Sequence, residues 1–212
     1  MDNSSPRWRR RKQARPQEIL DAALACFAAK GFAAARMDDI AERAGVTKGT
    51  IYLYFENKEA VFKALVRESI GAQIASVAEN IRAYEGPSRD LLRFILTSMA
   101  EFAHNSDRIV LPKILLADAG NFPELVRFYR EEVIDKGLAA MSGVIARGIA
   151  RGEFRAVDPQ HAARLCIAPI LLAMFWRTTF AQFDIEPYDY SALLDTHLDT
   201  LLRGLAPDGG AS

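Results

Sequence analysis

Cysteine is scarce: Cys26 and Cys166 are the only two in 212 residues. Both fall within apolar helical patterns, so they are expected to be buried thiols in a reducing cytoplasm, and no disulfide is expected. Net charge is also missing, because 27 Lys and Arg balance 27 Asp and Glu. No overall field draws this chain to a polyanion or to a membrane surface. The longest apolar run, Leu165 to Trp176, is about half of the roughly 20 residues that a bilayer span takes. No apolar stretch follows the basic N-terminus, so no secretory signal is read there. The three histidines, His104, His161 and His197, are far apart in the sequence. No HExxH, phosphate-cradling glycine loop, nucleophile elbow or metal-ligand spacing accompanies them, so the motif-bearing enzyme classes find no support. No cofactor and no metal are expected. Runs of alternating β-branched residues are absent as well, which points to an all-α chain. A cytoplasmic protein with no membrane partner is the expectation.

What is present is uneven charge and helical periodicity. Residues 1–15 hold Arg7, Arg9, Arg10, Arg11, Lys12 and Arg15 against Asp2 alone, a local basic arm of the kind that docks on phosphates. Its lack of hydrophobic periodicity predicts disorder through residue 14. A first helix is expected from Pro16 to Lys30, with Ile19, Ala22, Ala23, Cys26 and Phe27 inward and Gly31 as its stop. The stretch MDDIAERAGVTKGTIYLYFENK, Met37 to Lys58, follows. Met37, Ile40, Ala41 and Ala44 make the apolar stripe of a short helix, Gly45 permits a sharp turn, and Thr47 can cap a second helix. In that second helix Ile51 and Phe55 point inward while Lys48, Thr50, Tyr52 and Tyr54 spread over the other faces. Threonine and tyrosine are poor choices for a merely solvated helix. They are good hydrogen-bonding partners for phosphate oxygens, and Gly49 lets the backbone come close to a duplex. Helix, glycine turn and hydroxyl-bearing helix form the helix-turn-helix pattern of a reader of DNA.

GVTKGTIYLYFENKEAVF, within residues 45–62, resembles the signature of the TetR family of transcriptional regulators. The likeness covers residues 16–68; beyond it only the chain length and helical character match. The resemblance implies a homodimer that binds double-stranded operator DNA, with a small effector held between the middle helices. Thr47, Lys48, Gly49, Thr50, Tyr52 and Tyr54 are the expected DNA-binding residues. Lys58, at the start of the next helix, is expected to hold a further phosphate together with that helix's free amides. Arg36 stands where the family usually has a capping threonine or serine. Losing that cap costs about 1 kcal/mol, against the gain of a guanidinium beside a phosphate.

The fold expected is all-α: an N-terminal three-helix helix-turn-helix domain at 16–60, then a larger helical effector-binding and dimerisation domain at 61–205, about nine helices in all. The arm at 1–15 and a tail at 206–212 flank them. One long helix is expected from Lys58 to Tyr84. Another starts at an Asn121–Glu124 capping box and reaches Ala150. Asp158 with Pro159 starts the next, and Asp189 to Arg203 is the last. Two apolar stripes, Ile167, Ile170, Leu171, Met174 and Phe175, and Leu194, Leu198, Leu201 and Leu205, exceed what one chain's core can use, which suits a second copy. The effector pocket is expected at Met99, Phe102, Leu115, Phe122, Phe128, Met141, Ile145, Phe175 and Trp176. His104, Asn105, Arg177 and Thr178 are the polar groups expected to orient a hydrophobic or amphipathic ligand. The alternative is a ligand-blind DNA-binding regulator or architectural factor with a filled core.

Overall fold

The computed structural model describes the backbone of residues 6–207 and the side chains of residues 16–207. The basic arm at 1–15 lies outside the described residues except for its backbone from Pro6, which is helical and so begins the first helix earlier than Pro16. The tail beyond Pro207 lies outside them as well.

The chain is all-α among the described residues. It runs α1 (Pro6–Ala34), α2 (Met37–Arg43), α3 (Lys48–Tyr52), α4 (Lys58–Val66), α5 (Ala72–Ala83) and α6 (Ser88–Asn105). There follow α7 (Val110–Ala117), α8 (Pro123–Tyr129), α9 (Asp135–Ala150), α10 (Pro159–Thr179) and α11 (Tyr190–Gly204). The expected helices are all present, and two of them are interrupted by π-helical turns. One turn, Arg67–Gly71, separates α4 from α5, and the other, Arg130–Ile134, separates α8 from α9. In the first, the buried Ser69 hydroxyl donates to the Leu65 carbonyl one turn back. Back-bonding of that kind competes with the regular ladder and bends a helix. α8 starts later than the Asn121 box, with the Leu125 and Val126 amides donating to the Phe122 carbonyl.

Packing divides the chain into two units that do not follow chain order. The first unites the residues up to Gly71 with Val110–Tyr129; the second unites Ala72–Ile109 with the residues from Arg130. At all three crossings, Gly71, Ile109 and Tyr129, the helix is wound tighter or wider than α, by the two π turns and by the 3-10 turn Asp107–Ile109.

The first unit is built on aromatic packing. Phe27, Phe32 and Phe62 are fully buried, with ring centroids 5.3, 6.1 and 5.4 Å apart. Each such pair adds about 0.5–1.5 kcal/mol beyond the area it removes from water. α7 and α8 pack on α1 and α4, burying Leu111, Ile114, Leu115, Leu125 and Phe128. That is why 110–129 joins the N-terminal helices: without them, the ring cluster has no lid. The Asp118 carboxylate also accepts from the Ala33 amide at 3.0 Å.

The second unit packs α5, α6, α9, α10 and α11 around Leu91, Leu92, Ile95, Leu96, Met141, Val144, Ile145, Cys166, Leu198 and Leu202. Arg147 holds its α5–α6 corner: the guanidinium donates to the carbonyls of Tyr84 and Gly86, both at 2.7 Å, and to the Ser88 hydroxyl at 3.2 Å. The Tyr84 carbonyl lies just past the end of α5, where helix carbonyls lack a partner in the ladder, and the Gly86 carbonyl accepts from Arg151 as well, at 3.1 Å. Gly148 is required by close approach, because a Cβ there would lie 2.2 Å from the Phe154 ring. Burial pushes the Cys26 thiol up, and the Cys166 thiol up to about 12. Both cysteines are free.

α10 has the length and mean hydropathy to cross a bilayer, yet only 22% of its most apolar window is buried within the chain. Its inner face, Ala162, Ala163, Cys166 and Ile170, is part of the core. Its outer face carries Leu165, Ala168, Leu172 and Trp176 at spacings of three and four, all exposed.

Candidate functional site

The sequence Met37–Tyr54 folds as its periodicity dictates. Met37, Ile40 and Ala41 are buried on α2, and Gly45 takes φ +65°, the left-handed turn that side chains resist. Thr47 caps α3 by accepting from the Thr50 amide at 3.2 Å, and its hydroxyl lies 2.9 Å from that of Thr50. Ile51 is the buried anchor. With Ile51 inward, Thr47, Lys48, Gly49 and Tyr52 are exposed and Thr50 and Tyr54 half-buried. A Cβ on Gly49 would meet nothing closer than the Thr47 hydroxyl at 3.9 Å. Among the described residues, no packing therefore demands glycine at that position. The Lys48 ammonium pairs with Asp38 at 2.9 Å, which raises its pKa. Both partners are exposed, so the pair contributes little to folding and can be exchanged for a phosphate.

Arg36 is exposed at the N-cap of α2. Its guanidinium cannot accept from the helix, but the Asp39 carboxylate accepts from the Arg36 amide at 2.9 Å, recovering half of a capping box. Lys30 pairs with the same carboxylate at 2.8 Å and, with the Arg36 amide, lowers the Asp39 pKa.

Lys58 corrects the sequence-based expectation. Its ammonium turns inward and donates to the carbonyls of Phe32, Ala33 and Ala35 at 2.6, 3.1 and 2.9 Å, lying 4.5 Å from the centre of the Phe32 ring. Burial pulls its pKa down, with Glu59 and Asp118 acting against that. The physical reason is competition: three carbonyls in the last turn of α1 and just beyond it, together with an aromatic face, outbid solvent for one cation. Hydrogen bonds to a charged group contribute about 1.5–3 kcal/mol. Lys58→Met is therefore expected to destabilise the protein by about 2 kcal/mol, lowering Tm by about 4–8 °C. A calorimetric scan checks this; an unchanged Tm with a smaller salt dependence of DNA binding would instead make Lys58 a phosphate ligand.

The expected effector pocket is also corrected. Leu115, Phe122 and Phe128 belong to the first unit, where Phe122 stacks edge-on against Phe32 at 4.8 Å. The space among Phe32, Phe62, Leu115, Phe122 and Leu125 is filled. Met141 and Ile145 are packed solid in the second core, with Met99 and Phe102 half-buried against it. Phe175 is half-buried, and Trp176 lies at the surface, its indole N–H donating to Asp184 at 3.0 Å. Thr178 bonds back to the Met174 carbonyl at 2.9 Å.

A cavity of about 170 Å³ lies elsewhere in the second unit, between the end of α6, the middle of α10 and the start of α11. Of the expected pocket residues, the polar groups His104, Asn105 and Arg177 line it, and so does Pro169. Arg177 also donates to the His104 carbonyl, tying α10 to α6. The residues missed are Tyr190, Leu194 and His197, all lining the cavity. They are spaced four and three apart on α11, so a stripe carrying tyrosine and histidine was the available signal.

Residues 19–65 match the family model for bacterial regulatory proteins of the tetR family, and residues 84–185 match that for the tetracyclin repressor-like C-terminal domain. The fatty acid metabolism regulator protein of Bacillus subtilis (strain 168) is 28% identical over 197 residues, covering 92% of this chain and 98% of that protein. The crystal structure of the transcriptional regulator FadR from Bacillus subtilis in complex with stearoyl-CoA superposes with a TM-score of 0.73 at 27% identity, covering 89% of this chain and 98% of that one. SmeT, the repressor of the Stenotrophomonas maltophilia multidrug efflux pump SmeDEF, gives a TM-score of 0.72 at 25% identity over 92% and 91% of the two chains.

Proposed function

This chain belongs to the TetR family of DNA-binding transcriptional regulators, and from that premise we propose that it acts in the cytoplasm as a homodimeric, ligand-released repressor of a palindromic operator, with no catalytic step of its own. The observation that carries the reading is the outward face of α3. Thr47, Lys48, Gly49 and Tyr52 are exposed on a capped helix whose only buried residue is Ile51. Hydroxyl, ammonium and phenol groups on one short helix supply phosphate contacts for position and base-edge contacts for sequence.

The outer stripe of α10 supports the dimer. Leu165 and Leu172 are 67% and 66% exposed, and the apolar surface they form is poorly covered by their own chain. A two-fold axis pairing such stripes buries it, and sets two α3 helices one duplex turn or a multiple apart. Effector binding favours the DNA-free state, and by linkage DNA weakens effector binding by the same factor. Stearoyl-CoA, held by the Bacillus subtilis FadR, is an amphipathic ligand of the expected kind. A cavity of about 170 Å³ here receives a much smaller one.

Selection of bound DNA from a random pool tests the reading. An inverted repeat with half-sites one helical turn or a multiple apart is the expected result. Recovery of unrelated sequences at equal affinity would favour an architectural factor.

A further inference from the structure

The outward side of α3 carries a residue that the hydroxyl, phenol and ammonium contacts leave without a role. Leu53 closes that helix and is 80% exposed, more than any other large apolar side chain described in the first unit. Its backbone is still helical, at φ −70° and ψ −21°, and its amide donates to the Thr50 carbonyl at 3.3 Å. The helix, not a loose end, therefore sets the direction of its side chain. Ile51, the buried anchor, lies two residues before Leu53 and two after Gly49. At 3.6 residues per turn, both of these neighbours point away from the side that Ile51 buries. Gly49 and Leu53, four apart, are thus adjacent in the middle of the outward side. Lys48 and Tyr52 flank them along one edge and Thr50 along the other. The space above Gly49 is open, since only the Thr47 hydroxyl comes within 4 Å of where a Cβ would stand. The pair forms a shallow apolar step among polar groups.

A single exposed leucine is ordinary on a protein surface; its place here is not. Leucine neither donates nor accepts, so it bonds to no phosphate and to no polar base atom. In the major groove the apolar group on the edge of a base pair is the C5 methyl of thymine. Cytosine presents an amino donor there instead, which a leucine would cover and leave unpaired.

We propose that Leu53 is a specificity-determining residue that reads thymine, its side chain packing on the C5 methyl of one thymine in each operator half-site, beside the open step at Gly49. The inference rests on the regulator reading and adds to it a base and the residue that selects it. Lys48, Thr50 and Tyr52 hold α3 against the duplex, and Leu53 discriminates by fit and by the amino group it leaves without a partner.

The test uses the full chain and the duplex selected from a random pool. The same duplex is also made with deoxyuridine for one thymine per half-site, each thymine in turn. Uracil pairs as thymine does and lacks only the methyl. At one position, uracil in both half-sites is expected to weaken binding about 15-fold, which is about fourfold for each methyl removed from a contact. Leu53→Ala is expected to bind the thymine and uracil duplexes within about twofold of each other. Its Tm should not fall, because the side chain is exposed, and the salt dependence of binding should match the parent, because no phosphate contact is lost. Selection with Leu53→Ala should return that position without a preference for thymine. Tolerance of uracil at every thymine by the parent chain overturns the inference and leaves the regulator reading standing. So does a uracil penalty that Leu53→Ala keeps in full, since another side chain then reads the methyl. A selection that yields no inverted repeat overturns the regulator reading, and this contact with it.

Discussion

Tyr52→Ala is expected to lower operator affinity by about 30-fold or more while leaving the fold untouched. Tyr52 is 48% exposed on α3, so truncation removes little buried area. Losing a side chain that reaches a base edge or its phosphate costs about 1–3 kcal/mol per half-site. A dimer loses it twice, so about 2 kcal/mol is the lower bound, and each 1.4 kcal/mol is tenfold. Fluorescence anisotropy with the selected operator, at one salt concentration, measures the loss; an unchanged Tm serves as the control. Lys48→Ala is the useful contrast. It breaks an exposed pair with Asp38 that contributes little to stability, and a lost phosphate contact weakens all DNA sequences alike and flattens the salt dependence. Operator affinity within twofold of the parent in the Tyr52 variant would mean that α3 does not read the duplex.

Leu172→Asp should separate the proposed dimer and, with it, abolish useful operator binding. Leu172 is 66% exposed on the outer face of α10, so a lone protomer tolerates the aspartate. Across a two-fold interface every substitution occurs twice. Two carboxylates buried near one axis, without partners, carry a desolvation cost of several kcal/mol. Sedimentation equilibrium at micromolar protein is expected to show monomer. Operator affinity should fall by about 100-fold or more, because the second head no longer binds as an intramolecular step. A variant that stays dimeric would place the interface on another face and remove the principal support for pairing through α10.

The helix-turn-helix was legible because its determinants are local. Gly45 at its positive φ, Thr47 as a cap and Ile51 as a buried anchor each act within a few residues. Helix number was legible for the same reason, since amphipathic stripes and caps are properties of single segments. The π turns at Arg67–Gly71 and Arg130–Ile134 were not, because Ser69 and its neighbours look ordinary in a helical pattern. Lys58 shows the limit most clearly. A lysine at a helix start near an expected DNA face suits a phosphate, and nothing in the linear order says that carbonyls 32, 33 and 35 lie within its reach.

Alone, the amino-acid order determined the class of fold and the reading head with its exposed hydroxyls, which depend on period and on turn chemistry. Of the stripes expected to face a second copy, Ile170, Leu198 and Leu205 are instead buried in the chain's own core, with Ile167, Met174, Leu194 and Leu201 packed against it. Tertiary structure decided which partners the bulky residues found: it sent Leu115, Phe122 and Phe128 to the head, filled the expected pocket around Met141 and Ile145, and left space beside Tyr190 instead. Close packing is the reason. Any large apolar side chain satisfies the pattern of a core or of a cavity equally well, and only the sum of neighbouring volumes distinguishes the two.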